Sequence, residues 1–172
     1  MFTINLIFIL ILAIRFYSLS ISIRNEKALL AKGAVQYGKT NSMLLSAAHI
    51  LFYLCAIGEA NYRNIELDAL SLSGLFILCF AILMLFWVIA SLKEIWTVKI
   101  YILPQHKINR SFLFKYFRHP NYFLNIIPEL IGLSLFCQAK YTAMIGLPIY
   151  LLILTVRIKQ EEKAMAPLFR QP

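Results

Sequence analysis

Long apolar runs alternate with short basic segments along the chain. Three of these runs, at residues 2–23, 42–60 and 70–92, are long enough to cross a bilayer, which takes about 20 residues of helix. Two shorter runs, at 122–137 and 141–156, are separated by only three residues and predict a tight helical hairpin. The pattern predicts an all-α polytopic membrane protein with about five transmembrane helices.

Composition excludes an ordinary soluble domain. Of the 172 residues, 60% are hydrophobic and 15% are charged, and the mean hydropathy is +0.73, whereas globular chains are about 45–50% apolar and about 25% charged. No Gly-x-Gly-x-x-Gly motif follows a strand-like run, which disfavours a Rossmann-type enzyme. Cys55, Cys79 and Cys137 lie in apolar runs without metal-ligand spacing, so we expect no metal site. No linker divides the chain, and we expect one domain over residues 1–172.

The chain carries a net charge of +9, and its basic residues gather after the first, third and fifth apolar runs. In a soluble protein this charge would suggest a nucleic-acid partner, but cytoplasmic loops of membrane proteins show the same excess of lysine and arginine. We therefore expect no nucleic-acid partner. The charge asymmetry predicts an external amino terminus and a cytoplasmic carboxyl terminus.

The richest polar cluster inside an apolar run is R-H-P-N-Y-F-L-N-I-I-P-E, residues 118–129. Proline suits the first turn of a helix, which places His119 at the N-cap. On an ideal helix Tyr122, Asn125 and Glu129 fall within about 60° of one another. Lipid would not solvate such a polar stripe, so it lines either a site or an interhelical contact.

A second polar cluster, R-I-K-Q-E-E at residues 157–162, lies where the fifth run ends. Arg157 and Glu161 are four residues apart and are also placed to form a simple ion pair. In the second run, His49 and Glu59 are better explained by pairing with other helices than by catalysis.

The two motifs together resemble a known pattern. R-H-P-N-Y, followed about forty residues later by R-x-x-x-E-E, resembles the paired signature of the isoprenylcysteine carboxyl methyltransferase family, whose relatives include phospholipid methyltransferases. W-T-V-K-I-Y-I-L-P-Q-H, residues 96–106, is similar to that family's approach to the motif, so the resemblance covers about 92–169. The usual Gly-x-Tyr before R-H-P and the F-G-x-x-Y continuation after R-x-x-x-E-E are missing, which disfavours a prenylated protein substrate.

Residues 22–34 and 128–132 resemble a bacterial branch of the family whose members methylate alkylpyrones and alkylresorcinols. The resemblance implies a bacterial inner-membrane enzyme that uses S-adenosylmethionine at a cytoplasmic site. Its acceptor would be a lipophilic small molecule, methylated on a ring hydroxyl or a carboxylate. Arg24, Asn25 and Glu26 lie on the same predicted side and either close over the site or form a solvated flank.

Matching the motifs residue by residue implies three sets of site residues. The resemblance assigns cofactor binding to His106, His119, Tyr122, Glu161 and Glu162, catalysis to Arg118, Tyr122 and Arg157, and acceptor binding to Asn125 and Glu129. Three other functions remain open from the sequence: an isoprenylcysteine-type carboxyl methyltransferase, a small transporter with a polar path, and a structural membrane subunit.

Overall fold

The computed structural model describes residues 1–103 and 119–169. The described chain is an all-α polytopic membrane protein with one very small sheet. Its long elements are α1 (Phe2–Ala31), α2 (Lys39–Tyr62), α3 (Ala69–Leu92), α4 (Ile127–Phe136) and α5 (Lys140–Phe169). A 3-10 turn (Lys93–Ile95) follows α3, a π-helical turn (Asn121–Ile126) leads into α4, and two short strands are β1 (Val35–Tyr37) and β2 (Ile100–Ile102).

Within residues 1–103 and 119–169, four helices are long and apolar enough to cross a membrane, namely α1, α2, α3 and α5. The helix formed by the π-helical turn and α4, Asn121–Phe136, is shorter, as its short apolar run predicts. The predicted hairpin between the last two helices is confirmed. The fifth apolar run ends at residue 156, and α5 continues beyond it to Phe169 through polar residues that favour helix, as the helical spacing assumed for Arg157 and Glu161 requires.

Helices α3 and α4 pack backbone against backbone. A Cβ atom on Gly74 would overlap the backbone nitrogen of Phe136 and lie 2.6 Å from the Gly132 carbonyl oxygen. A Cβ on Gly132 would lie 2.9 Å from the nitrogen of Leu78. Small residues are the usual means of close helix approach in membranes, where apolar burial alone does not hold helices together.

Polar contacts join the α2–α3 and α4–α5 connections at one end of the bundle. The Glu59 carboxylate accepts hydrogen bonds from the backbone of Tyr141 at 3.1 Å and of Thr142 at 2.9 Å, and so caps α5. Arg63 donates to the Gln138 carbonyl at 2.6 Å. Asp68 caps α3 by accepting from the Ser71 nitrogen, and this hydrogen bond lowers the pKa of Asp68. The structural role predicted for Glu59 is confirmed.

A two-stranded antiparallel sheet lies at the other end of the bundle. It pairs β1, between α1 and α2, with β2, after α3, so that Gln36 lies opposite Tyr101. Both strands pack against α5. The apolar pattern did not predict this sheet. The sheet places the segment after α3 beside the polar end of α5.

Candidate functional site

The R-H-P-N-Y motif folds into a helix start. Pro120 follows His119, whose carbonyl accepts hydrogen bonds from the nitrogens of Tyr122 and Phe123 at 3.1 and 3.2 Å, so His119 is the N-cap as predicted. The next turn is π-helical, a form that is frequent at functional sites. It stacks the imidazole of His119 on the ring of Tyr122, with 5.7 Å between the ring centroids.

Arg157 is buried, with 1% of the residue exposed, and each of its three side-chain nitrogens is hydrogen-bonded. Its Nε donates to the Tyr122 hydroxyl at 3.2 Å. Its Nη1 donates to the Ser42 hydroxyl at 2.5 Å, and its Nη2 donates to the Val98 carbonyl at 2.7 Å. These direct partners are all neutral. The guanidinium is held at once from α2, from the π-helical turn before α4 and from the segment before β2.

Tyr122 connects the two sequence motifs. Its hydroxyl accepts from Arg157 and donates to Glu161 Oε2 at 2.6 Å, so Arg157 and Glu161 are joined through the phenol. His119 lies between the two acids, with Nδ1 3.6 Å from Glu161 Oε1 and Nε2 3.4 Å from Glu162 Oε1. We call His119, Tyr122, Arg157, Glu161 and Glu162 the motif cluster.

The acids of the motif cluster differ in exposure, and they set the charge of His119. The side chain of Glu161 is 31% exposed, whereas that of Glu162 is 51% exposed. The carboxylate of Glu161 raises the pKa of His119, and burial of the imidazole opposes this rise. A raised pKa favours the protonated imidazole, which donates hydrogen bonds from both nitrogens.

Another group of polar side chains lies farther along the helix bundle, away from the motif cluster. Arg15 Nε lies 2.8 Å from Glu129 Oε1, which also accepts a hydrogen bond from the Tyr53 hydroxyl. His49 bridges Arg15 and Tyr150, with 3.2 Å from its Nε2 to Arg15 Nη2 and 3.2 Å from its Nδ1 to the Tyr150 hydroxyl. We call these five residues the inner cluster. Its acid, Glu129, is only 1% exposed.

The two clusters are offset by the same number of residues on four helices. Seven residues separate Tyr122 from Glu129 on the fourth helix and Tyr150 from Arg157 on α5. Seven also separate Ser42, which binds Arg157, from His49 on α2. Arg15 and Ser22 on α1 show the same offset, and Ser22 contacts Val98. On α1, α2 and α5, which are α-helical between these positions, seven residues are two turns, or about 10 Å along the helix axis.

Residues 74–167 match the family model for the isoprenylcysteine carboxyl methyltransferase family. This match covers more than half of the chain and contains the whole motif cluster. The chain belongs to this family. Membership in the isoprenylcysteine carboxyl methyltransferase family makes the protein a membrane methyltransferase. The match begins within α3, earlier than the resemblance at residue 92, and leaves α1 and α2 outside the family model.

Two relatives extend the similarity over almost the whole chain. An uncharacterized protein of Haemophilus influenzae (strain Rd) is 75% identical over 169 residues, which is 98% of each chain. The uncharacterized protein YpbQ of Bacillus subtilis (strain 168) is 26% identical over 147 residues, 86% of this chain and 87% of that protein. No solved structure matches the chain. The first of these relatives matches all but three residues of the chain and so includes α1 and α2, which makes the similarity wider than the region that defines the methyltransferase family.

The structure separates the other predicted residues of this family member. Asn125 is buried beside the motif cluster, where its amide donates to Asn121 Oδ1 at 3.1 Å. Glu129 lies in the inner cluster with Arg15 and not in the motif cluster with Tyr122. The helical stripe had predicted one buried face that contains both Glu129 and Tyr122. Asn125 and Glu129 are both buried, as predicted. His106 and Arg118 lie outside the described residues.

The sequence did not point to Ser42 and Val98, which accept hydrogen bonds from Arg157, or to Ser22, which accepts one from the Val98 nitrogen. Serines in a membrane helix are common and carry no spacing signal, and Val98 contributes only its backbone carbonyl. The pairing of Arg15 with Glu129 was not predicted either. A signal for that pair does exist, because a charged residue within a transmembrane helix needs a partner of opposite charge.

Proposed function

We propose that the protein transfers a methyl group from S-adenosylmethionine to an oxygen atom of a lipophilic acceptor. The observation that supports this most is the junction at Tyr122. Two motifs about forty residues apart meet there, with one hydroxyl hydrogen-bonded to both Arg157 and Glu161. A packing contact alone would not require acids, a cation and an imidazole together where a helix leaves the membrane.

The donor set fits the cofactor. S-adenosylmethionine offers an ammonium group and ribose hydroxyls as donors and a carboxylate as an acceptor. The partly exposed carboxylates of Glu161 and Glu162 suit the donors, and a protonated His119 at a helix N-terminus suits the carboxylate. His119 Nδ1 and Gln160 Oε1 are buried without a hydrogen-bond partner among the described residues. We propose His106 as a further cofactor residue.

The cofactor supplies an electrophilic methyl group on sulfur. Transfer would form a C–O bond to the acceptor as the C–S bond broke with its electron pair on sulfur, and a hydroxyl acceptor would lose its proton to solvent water. The chain has to orient the reactants and exclude water. Arg157 and Glu161 fix the Tyr122 hydroxyl from two sides, which gives this catalytic candidate one orientation. We propose Arg118 as a cation that favours the ionised acceptor.

For the acceptor we propose an alkylpyrone or alkylresorcinol. The resemblance of residues 22–34 and 128–132 to the bacterial branch supports this class. Buried polar groups at Asn125 and Glu129, within an apolar bundle, suit a molecule that combines a ring hydroxyl with a long chain. We also propose that the motif cluster faces the cytoplasm of a bacterial cell and that the amino terminus lies outside, since the basic residues follow that arrangement.

The acceptor is tested by competition between substrates. Purified protein in detergent is incubated with methyl-labelled S-adenosylmethionine and an alkylresorcinol, an alkylpyrone or a farnesylated cysteine analogue. We expect label in one of the first two lipids, with a higher kcat/KM than for the farnesylated compound. A clear preference for the farnesylated analogue would replace the alkylated ring with a prenylcysteine carboxylate as the acceptor.

The two adjacent acids are expected to contribute unequally to cofactor binding. Glu161→Gln should weaken S-adenosylmethionine binding about tenfold, since a hydrogen bond to a charged group contributes about 1.5–3 kcal/mol. Glu162→Gln should cost less, because Glu162 is more exposed and contacts only His119 in the cluster. Calorimetric titration in detergent measures both losses, and thermal melting controls for folding. Equal and negligible losses would show that these acids serve packing only.

A further inference from the structure

The segment between α3 and β2 is attached to α1 by a row of polar side chains. The Asn25 amide donates to the carbonyls of Lys93 and Trp96, both at 2.9 Å. The Glu26 carboxylate binds Lys99 Nζ at 2.7 Å and accepts from the Tyr101 hydroxyl at 2.6 Å. These contacts lie before and after Val98, so α1 holds the backbone on both sides of that residue.

Burial makes these attachments specific. Asn25 is 5% exposed, and its amide satisfies two backbone carbonyls that follow α3. Burial, followed by its bond to Glu26, raises the pKa of Tyr101 to about 12, so the phenol stays a donor at neutral pH. Asn25 and Glu26 were expected either to close over the site or to form a solvated flank. Their contacts with the segment after α3 contradict the solvated flank for these two residues.

Ser22 completes this row at the position nearest the motif cluster. Its hydroxyl accepts a hydrogen bond from the Val98 nitrogen at 2.9 Å, and the Val98 carbonyl accepts from Arg157 Nη2 at 2.7 Å. Ser22 is 2% exposed. A side chain of α1 thus holds the amide nitrogen of Val98, the residue whose carbonyl receives the buried guanidinium, although Ser22 and Arg157 have no hydrogen bond to each other.

We propose that Ser22 is a positioning residue for Arg157, acting through Val98, and that α1 thereby completes the cofactor site. This inference rests on the proposed function, because its readout is cofactor binding. It extends the site to a helix outside the part of the chain that matches the family model. The effect of Ser22 should pass through the orientation of Arg157 and then of Tyr122, which shares a hydrogen bond with it.

The test compares Ser22→Ala with Ser20→Ala in the full chain in detergent. Ser20 is on the same helix, but it is exposed and donates only to the Tyr17 carbonyl. Titration with S-adenosylmethionine should show about three- to tenfold weaker binding for Ser22→Ala, the value of one hydrogen bond, and no change for Ser20→Ala. Ser22→Thr, which keeps the hydroxyl, should restore binding. If Ser22→Ala does not fold, Ser22→Cys keeps the shape with a weaker acceptor and should show the same loss.

A double-mutant cycle separates positioning from general destabilisation. In an Arg157→Lys background, Ser22→Ala should cost less than about twofold further, because residues acting through one contact are not additive. The inference is wrong if the affinity losses of Ser22→Ala and Arg157→Lys multiply in the double variant, or if Ser22→Ala binds S-adenosylmethionine like the parent. Either result leaves the proposed function intact. A parent protein that binds no S-adenosylmethionine would overturn both.

Discussion

Arg157→Lys is expected to weaken S-adenosylmethionine binding about a hundredfold. The guanidinium has three partners, the hydroxyls of Tyr122 and Ser42 and the carbonyl of Val98. A lysine ammonium is a point charge that cannot reproduce this planar fork. Losing two hydrogen bonds to a charged group, at about 1.5 kcal/mol each, corresponds to about a hundredfold loss of cofactor affinity when the bonds hold the site in its binding arrangement. Calorimetric titration in detergent measures the loss.

Arg63→Lys is the matched control for that change. Arg63 lies at the other end of the bundle, where it donates to the Gln138 carbonyl and lies 3.8 Å from Glu59. The same substitution there should leave cofactor binding unchanged. If Arg157→Lys binds the cofactor like the parent and keeps its melting temperature, Arg157 is only a packing residue, and the junction at Tyr122 loses its place in the proposed function.

Arg15→Leu is expected to lower the free energy of unfolding by about 3–5 kcal/mol, the usual cost of breaking a buried ion pair by removing one partner. Glu129 would then be a buried carboxylate whose remaining contacts are the Tyr53 hydroxyl and His49. Thermal melting in detergent detects the loss as a large drop in melting temperature. The double variant Arg15→Leu/Glu129→Leu should melt higher than Arg15→Leu, because no unpaired charge remains.

The exposed pair Lys32–Glu94 provides the control for this prediction. Its atoms approach to 3.2 Å, but its side chains are 58% and 79% exposed. Lys32→Ala should therefore change the free energy of unfolding by less than about 1 kcal/mol. Equal effects of Arg15→Leu and Lys32→Ala would mean that the inner cluster contributes no more to stability than a surface pair.

The apolar pattern predicted the helices well where contact with lipid requires apolar residues. Helix α3 runs from Ala69 to Leu92, one residue longer than its apolar run. The apolar run of α5 ends at Val156, but the helix continues to Phe169, as the spacing of Arg157 and Glu161 assumes. The small sheet was not predicted, because strands of three residues are too short to give an alternation signal and Gln36 pairs with a residue on a distant segment.

For the site, the resemblance identified side chains but not the contacts that orient them. His119, Tyr122 and Glu161 were predicted together and lie together. The neighbours of Arg157 depend on tertiary packing, and one of them is a backbone carbonyl that any residue at position 98 would supply. Glu129 was predicted to be buried, but only the packing of α1 on α4 shows that its partner is Arg15.

The common offset of the two clusters constrains how this chain can change over evolutionary time. Inserting or deleting one residue between Arg15 and Ser22, or between Tyr150 and Arg157, would turn one end of that helix by about 100° relative to the other. One of the two residues would then lose its contacts, while the other kept its own. Homologous chains that keep both clusters should therefore align without gaps between these positions on all four helices, whereas the connections between helices are free to vary in length.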